Sequence, residues 1–146
     1  MGRLLAQTLE RPFVDIDQVI VERAGRPIER IFADSGEPAF RAVESTVLAD
    51  AAGLPSAVVA LGGGTLLAPE NRALVARSGR TVYLRASVAT LEARVAQQDV
   101  VRPLLARTPV GTLLEQRRAL YEDARHIIDV DGIDADGVVA AIAAVL

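Results

Sequence analysis

Short runs of branched apolar residues alternate along this chain with longer segments in which apolar residues recur every three or four positions. The first pattern indicates buried strands and the second indicates amphipathic helices, and their alternation is typical of βα units around a largely parallel sheet. Strands are predicted at residues 13–15, 56–61, 81–84 and 127–130. Helices are predicted at residues 3–10, 17–24, 27–35, 37–52, 69–77, 87–97, 111–124 and 135–145, and a loop is predicted at residues 99–109.

The beginning of the chain departs from the usual form of such a domain. Doubly wound α/β domains usually open with a strand whose carboxyl end helps to form the ligand site. This chain opens instead with the predicted helix at residues 3–10. We therefore expect one more strand, and the loop that follows it, ahead of Met1 in the complete fold.

Composition narrows the class of protein. The chain has 146 residues, of which 51% are hydrophobic, so it can bury one core and is expected to form a single domain over residues 1–146. It has no cysteine and a single histidine, His126, which excludes disulfides, thiolate metal sites and multi-histidine metal sites. No apolar run approaches the roughly 20 residues of a membrane span, and the start lacks a signal-peptide pattern. We expect a cytoplasmic protein with no membrane partner.

Charge bears on the possible partners. The net charge is −3, and the 16 basic residues are all arginine, so no overall positive field favours binding to nucleic acid. The absence of lysine matters for a second reason, because one widespread kind of ATP site depends on that residue.

Two carboxylates, Asp15 and Asp17, stand at the end of the first predicted strand. Strand carboxyl ends open into the ligand crevice of an α/β sheet, where carboxylates can hold Mg²⁺ through water and accept a proton from a hydroxyl group. The alternative is a solvated turn in which Asp17 caps the next helix, and for this motif taken alone that alternative is favoured.

Three consecutive glycines, Gly62 to Gly64, follow the second predicted strand directly. Glycine permits positive φ angles and close approach of the backbone to a ligand, and successive backbone N–H groups can bind an anion. A tight turn explains one or two glycines well, but it explains three poorly.

Arginines at three places could bind anions. Arg102 lies beside Pro103 in the predicted loop, as an arginine does in a lid that closes over a transferring phosphate group. Arg41 and Arg118 lie on predicted helices and could together clamp a carboxylate, which a planar guanidinium binds through two hydrogen bonds. For each of the three, taken alone, an ordinary surface arginine is the favoured interpretation.

In this order along the chain, the motifs resemble those of the shikimate kinase family. The family pattern is Asp-x-Asp, Phe-Arg-x-x-Glu, a Gly-Gly-Gly that follows a strand, Arg-Pro-Leu, and Arg-x-x-Leu-Tyr. The matching positions are Asp15 and Asp17, Phe40-Arg41 with Glu44, Gly62 to Gly64, Arg102-Pro103-Leu104, and Arg117-Arg118-Ala119-Leu120-Tyr121, in which Arg118 is taken as the functional arginine. The similarity extends from about residue 2 to the end of the chain.

The resemblance implies a three-layer α/β/α P-loop kinase fold with a parallel sheet of family order 2-3-1-4-5. It implies transfer of the ATP γ-phosphoryl group to the 3-hydroxyl of shikimate, in the biosynthesis of chorismate and aromatic amino acids. Shikimate and ATP are then the partners, Mg²⁺ is the cofactor, and the protein is expected to be a monomer. The shikimate-binding part would cover about residues 15–64 and the lid about residues 98–110.

The resemblance also implies roles for individual residues. Asp17 would accept the shikimate hydroxyl and act as the catalytic carboxylate, and Asp15 would reach Mg²⁺, through water. The remaining assignments are Arg41, Arg118, Gly63 and Gly64 for binding shikimate, Arg102 for the γ-phosphoryl group, Arg94 for the adenine of ATP, and Glu44 for orienting Arg41.

One family motif is absent from the chain. No Gly-x-x-x-x-Gly-Lys sequence occurs, and residues 1–6 resemble the start of the helix that follows this P-loop. The missing central strand is then family strand 1, and activity is expected only for a form that carries the P-loop. The alternatives are a catalytically inactive relative that binds shikimate or a protein partner, and another small P-loop kinase such as a gluconate kinase, which the motif set disfavours.

Overall fold

The computed structural model describes residues 1–97 and 108–146. Within them the chain forms four strands: β1 (Phe13–Asp15), β2 (Val58–Ala60), β3 (Val82–Arg85) and β4 (His126–Asp129). The helices are α1 (Gly2–Thr8), α2 (Ile16–Ala24), α3 (Ile28–Ala52), α4 (Pro69–Ser78), α5 (Val88–Ala96), α6 (Val110–Glu122) and α7 (Ala135–Val145), with a short 3-10 turn at Thr65–Leu67. Every predicted helix and strand is present, which confirms the α/β pattern, whereas the predicted loop at residues 99–109 lies almost entirely outside the described residues.

The strands form two parallel pairs. β1 pairs with β2, with Phe13 opposite Val58, and β3 pairs with β4, with Val82 opposite His126. Among the described residues, no strand joins β2 to β3, so the two pairs remain separate two-stranded sheets. These are the pairs 2-3 and 4-5 of the predicted sheet order.

Local sequence signals define several helix ends. The side chain of Asp15 caps α2 by accepting a hydrogen bond from the backbone N–H of Gln18 at 3.2 Å, and Gly25 ends that helix with a φ of 63°. Ser87 caps α5 in the same way through the N–H of Thr90. The predicted helices at 27–35 and 37–52 run together as α3, which is broken only at Gly36, whose φ of 79° and ψ of 171° are not helical.

The hydrophobic core has two parts. The first lies where α2 and α3 pack on the β1–β2 pair, and it contains Ile16, Ile20, Ile31, Phe40, Val47, Leu48 and Ala51. The second lies where α1 and α7 pack on the β3–β4 pair, and it contains Leu5, Ala86, Val130, Val138, Val139 and Ile142. Because α1 contacts both β2 and α7, it joins the two parts.

The segment after β4, residues 131–134, contains two aspartates that have a structural role. Both carboxylate oxygens of Asp131 accept a hydrogen bond from the backbone N–H of Ser87, at 3.1 and 3.0 Å, so Asp131 fastens the segment to the start of α5. Asp134 caps α7 through the N–H of Gly137. In the described part of the chain, no helix is both long and apolar enough to cross a membrane.

Candidate functional site

The candidate site is a cavity of about 720 Å³ at the carboxyl ends of β1 and β2. The polar residues and glycines that line it include Asp15, Asp17, Arg41, Glu44, Gly62, Gly63, Gly64, Arg117 and Tyr121. Its apolar wall includes Phe32, Phe40, Leu91, Val95, Val110 and Leu113. A cavity with apolar walls and a few convergent charged groups is typical of a small-molecule site, and this one accommodates a polar ligand of modest size.

The two aspartates occupy different positions in the cavity. Asp15 is the residue that caps α2, so the capping role predicted as the alternative for Asp17 belongs to Asp15 instead. Asp17 lies in the first turn of α2 and is partly buried, with its Oδ1 close to Gly62. The Asp17 carboxylate therefore lines the cavity floor beside the glycine turn, whereas one oxygen of Asp15 is committed to the helix.

Two of the three glycines, Gly62 and Gly64, are needed for close approach and not for backbone angle. None of Gly62, Gly63 and Gly64 has a positive φ, contrary to one of the two reasons predicted from the sequence. A Cβ at Gly62 would lie 3.0 Å from Asp17 Oδ1 and 3.1 Å from Glu44 Oε1, and a Cβ at Gly64 would overlap the guanidinium of Arg41. Side chains at the first and third positions would displace the charged groups of the site.

Arg41 is held by two carboxylates. Its Nη1 donates to Glu44 Oε2 at 2.7 Å, and its Nη2 donates to Glu37 Oε1 at 3.1 Å. Burial acts to lower the pKa of Arg41, but the hydrogen bonds and charges of Glu44 and Glu37 outweigh it, and the pKa is raised. The Arg41 guanidinium, 21% exposed, is therefore a permanent and oriented positive charge at the cavity wall.

The second arginine at the glycine turn is Arg117, whereas the structure places the predicted Arg118 outside this cavity. Arg117 Nη1 donates to the backbone oxygen of Gly63 at 3.0 Å, and the Tyr121 hydroxyl donates to the same oxygen. Arg118 is 52% exposed, pairs with Glu115 at 2.9 Å and lines a separate small cavity near Arg85. The reason is helical geometry: successive residues on α6 are turned by about 100°, so Arg118 lies on the adjacent face.

Two predicted residues lie apart from this cluster. Arg94 is exposed near the end of α5, and its charge helps to lower the pKa of Asp131, after the larger effect of a hydrogen bond from the Thr90 side chain. Arg102 and most of the predicted lid at residues 98–110 lie outside the described residues.

Several polar members of the site were not assigned a role from the sequence. Arg117 and Tyr121 were identifiable in principle, because residues four apart share one helix face. Thr65 gave no signal: its hydroxyl donates to Glu44 Oε1 at 2.7 Å across 21 residues of sequence, a pairing that only the folded chain creates.

Comparison with known proteins agrees with this geometry. A family model described as "Shikimate kinase" matches residues 1–146. The chain is 41% identical over 143 residues to a shikimate kinase from Salinibacter ruber, covering 90% of this chain and 70% of that protein. It is 40% identical over 147 residues to a shikimate kinase from Geobacter sulfurreducens, covering 98% of this chain and 81% of the relative.

Solved structures give the same result. The chain is similar to a shikimate kinase from Acinetobacter baumannii in complex with shikimate, with a TM-score of 0.90 and 32% identity over 99% of this chain and 83% of that one. It is also similar to the shikimate kinase of Aquifex aeolicus, with a TM-score of 0.83 and 29% identity over 99% of this chain and 85% of that one. The predicted P-loop kinase fold is thereby confirmed, and the chain belongs to the shikimate kinase family of enzymes.

Proposed function

We propose that this chain binds shikimate in the cavity beside Gly62 to Gly64 and serves in its phosphorylation by ATP at the 3-hydroxyl. One observation carries the proposal: three consecutive glycines each lie against a different charged side chain. Asp17 lies against Gly62, Arg117 against Gly63 and Arg41 against Gly64. A hydroxylated ring acid offers the matching groups, since its carboxylate suits the arginines and its hydroxyl groups suit the aspartate.

The roles follow from this chemistry. Arg41 and Arg117 bind the shikimate carboxylate and thereby fix the ring in one orientation. Asp17 accepts a hydrogen bond from the reacting hydroxyl and takes its proton as the oxygen bonds to the γ-phosphorus and ADP departs. The shikimate-binding part then extends beyond the predicted residues 15–64, because Arg117 belongs to α6.

The proposed function also requires Mg²⁺ and ATP. No group of three or more metal-binding side chains occurs in the part of the chain that the structure describes. That fits Mg²⁺ better than a metal held by protein alone, since Mg²⁺ usually keeps several waters and takes one or two carboxylates plus substrate phosphates. Asp15 would hold such an ion through water, and the bound ion would neutralise phosphate charge. Arg102 and Arg94 stay assigned to the γ-phosphoryl group and to adenine.

A second candidate is a relative that binds shikimate, or a protein partner, without transferring phosphate. The observation that favours it is the lack of lysine and of any Gly-x-x-x-x-Gly-Lys sequence among the 146 residues. The two candidates share the shikimate cavity and differ in turnover. An assay for ADP release with ATP, Mg²⁺ and shikimate, run on this chain and on the longest form present in the source cell, distinguishes them.

Calorimetric titration with shikimate directly tests shikimate binding, which both candidate functions require. Arg117→Ala should weaken binding about tenfold to a hundredfold, since it removes a charge-assisted hydrogen bond to the ligand. Arg118→Ala is the matched control, because it removes the same side chain from the adjacent helix face, and it should change the affinity less than about twofold. Failure of the unaltered chain to bind shikimate, or equal losses in the two variants, would overturn the proposal.

A further inference from the structure

Behind Arg41 lies a buried hydrogen-bond chain that the assigned roles do not explain. Glu44 is 1% exposed, and both of its oxygens are engaged: Oε2 by Arg41 and Oε1 by the hydroxyl of Thr65. A buried carboxylate is costly unless donors satisfy it, so each of these partners matters for where the carboxylate lies. Thr65 is the neutral partner, and it is itself completely buried.

Thr65 is held firmly by the turn in which it lies. Its backbone N–H donates to the oxygen of Gly62 at 3.1 Å, and its backbone oxygen accepts from the side chain of Asn71 at 2.9 Å. Asn71, on α4, is also buried at 4% exposure. On the same helix, Arg72 donates to the backbone oxygens of Leu66 and Leu67, so α4 fixes the whole 3-10 turn.

This series of hydrogen bonds orients the side chain of Arg41. A guanidinium has five N–H groups. Glu37 accepts hydrogen bonds from the N–H of Nε and from one N–H of Nη2, and Glu44 accepts one from an N–H of Nη1. Among the contacts of the described residues, one N–H on each terminal nitrogen has no carboxylate partner, so Arg41 keeps donors for the carboxylate of a ligand.

We propose that Thr65 is a positioning residue for substrate binding: its hydroxyl, on the turn whose backbone Asn71 holds, positions the Glu44 carboxylate, and Glu44 positions the Arg41 guanidinium. This inference deepens the proposed function and rests on it. It predicts that the Thr65 hydroxyl affects the affinity for a ligand carboxylate although Thr65 contacts no ligand. A residue that only shapes the turn would act through its methyl group and volume instead.

Two substitutions separate these roles. Thr65→Val keeps the shape and loses the hydroxyl, whereas Thr65→Ser keeps the hydroxyl and loses the methyl group. For the positioning role, we expect Thr65→Val to weaken shikimate binding about tenfold and Thr65→Ser to stay within about twofold of the unaltered chain. Thr46→Val is the matched control, because the Thr46 hydroxyl donates only to the backbone oxygen of Ala42 on the exposed side of α3.

A second ligand removes the remaining ambiguity. Shikimate methyl ester keeps the ring and hydroxyl groups but has no carboxylate charge, so Thr65→Val should reduce its affinity much less than that of shikimate. If Thr65→Val does not fold, as judged by its thermal unfolding, Thr65→Ala removes the same donor without burying a new methyl group and should give the same loss.

The outcomes are distinct. If the unaltered chain does not bind shikimate, the proposed function fails. If it binds and the variant without the hydroxyl binds equally well, the function stands and the positioning role is wrong. A loss in Thr65→Ser as large as that in Thr65→Val would also overturn the positioning role in favour of packing.

Discussion

One half of the molecule is built on β1 and β2, and the other is built on β3 and β4. Each half contains one pair of parallel strands, but the two halves differ in where their ion pairs lie. In the first half, Arg41 and the buried Glu44 meet inside the fold. In the second half, Arg85 and Asp129 pair across neighbouring strands at the surface, where their side chains are 45% and 68% exposed. Both contacts are close ion pairs, so their difference lies in access to water.

That difference indicates where function lies. An exposed pair is screened by solvent and contributes little to stability or orientation. A buried carboxylate is tolerated only where partners surround it, and once surrounded it holds them in one geometry. In the first half, burial of the Glu44 carboxylate has a desolvation cost, and in return the Arg41 side chain is already oriented before a ligand binds.

We expect the largest effect from breaking the ion pair between Arg41 and Glu44. Arg41→Ala leaves the Glu44 carboxylate inside the fold with the Thr65 hydroxyl as its remaining donor, and we expect a loss of about 3 kcal/mol in the free energy of unfolding. Urea titration followed by circular dichroism measures it. Arg85→Ala is the matched control from the second half and should shift the midpoint far less. Equal shifts in the two variants would show that burial of the pair is unimportant.

An intermediate effect is expected within the glycine turn. Gly64→Ala places a Cβ against the Arg41 guanidinium, which must then move away from Glu44 and Glu37, and we expect a cost of about 1–3 kcal/mol in unfolding free energy. Gly63→Ala is the matched control, since its Cβ would meet nothing closer than Arg117 Nη1 at 3.4 Å. The same urea titration applies, and a Gly63 variant as unstable as the Gly64 variant would contradict the close-approach explanation.

The smallest effect belongs to the second half and depends on pH. A hydrogen bond from Thr90, together with bonds to Ser87, lowers the pKa of Asp131. A carboxyl group with a lowered folded-state pKa stabilises the fold above its unfolded-state pKa, near about 3.9, and that contribution is lost as the pH falls through the folded-state value.

Asp131→Asn should therefore be slightly less stable than the unaltered chain at pH 7 and at pH 5, with the gap narrowing below about pH 4. Urea midpoints measured at pH 7, 5, 4 and 3 give the profile. Asp129→Asn should show the same narrowing, because the hydrogen bond from Arg85 lowers the pKa of Asp129. A gap that stays constant down to pH 3 would mean that neither carboxylate stabilises the fold through its charge.

The sequence by itself determined the features that depend on near neighbours. Periodicity located the helices and strands, and Gly25 and Ser87 marked helix boundaries that the structure contains. These signals work because helix periodicity and capping involve residues at most four positions apart. The order of motifs was also sufficient to identify the family.

Only the tertiary structure decided which side chains meet. Arg117 reaches Gly63 across 54 positions of sequence, and Asp131 reaches Ser87 across 44. The spacing of four between Arg117 and Tyr121 places them on one helix face, but the sequence does not show that α6 turns this face toward the glycines. Arg117 and Arg118 differ by one helical step of about 100°, and packing of α6 selects which of them enters the cavity.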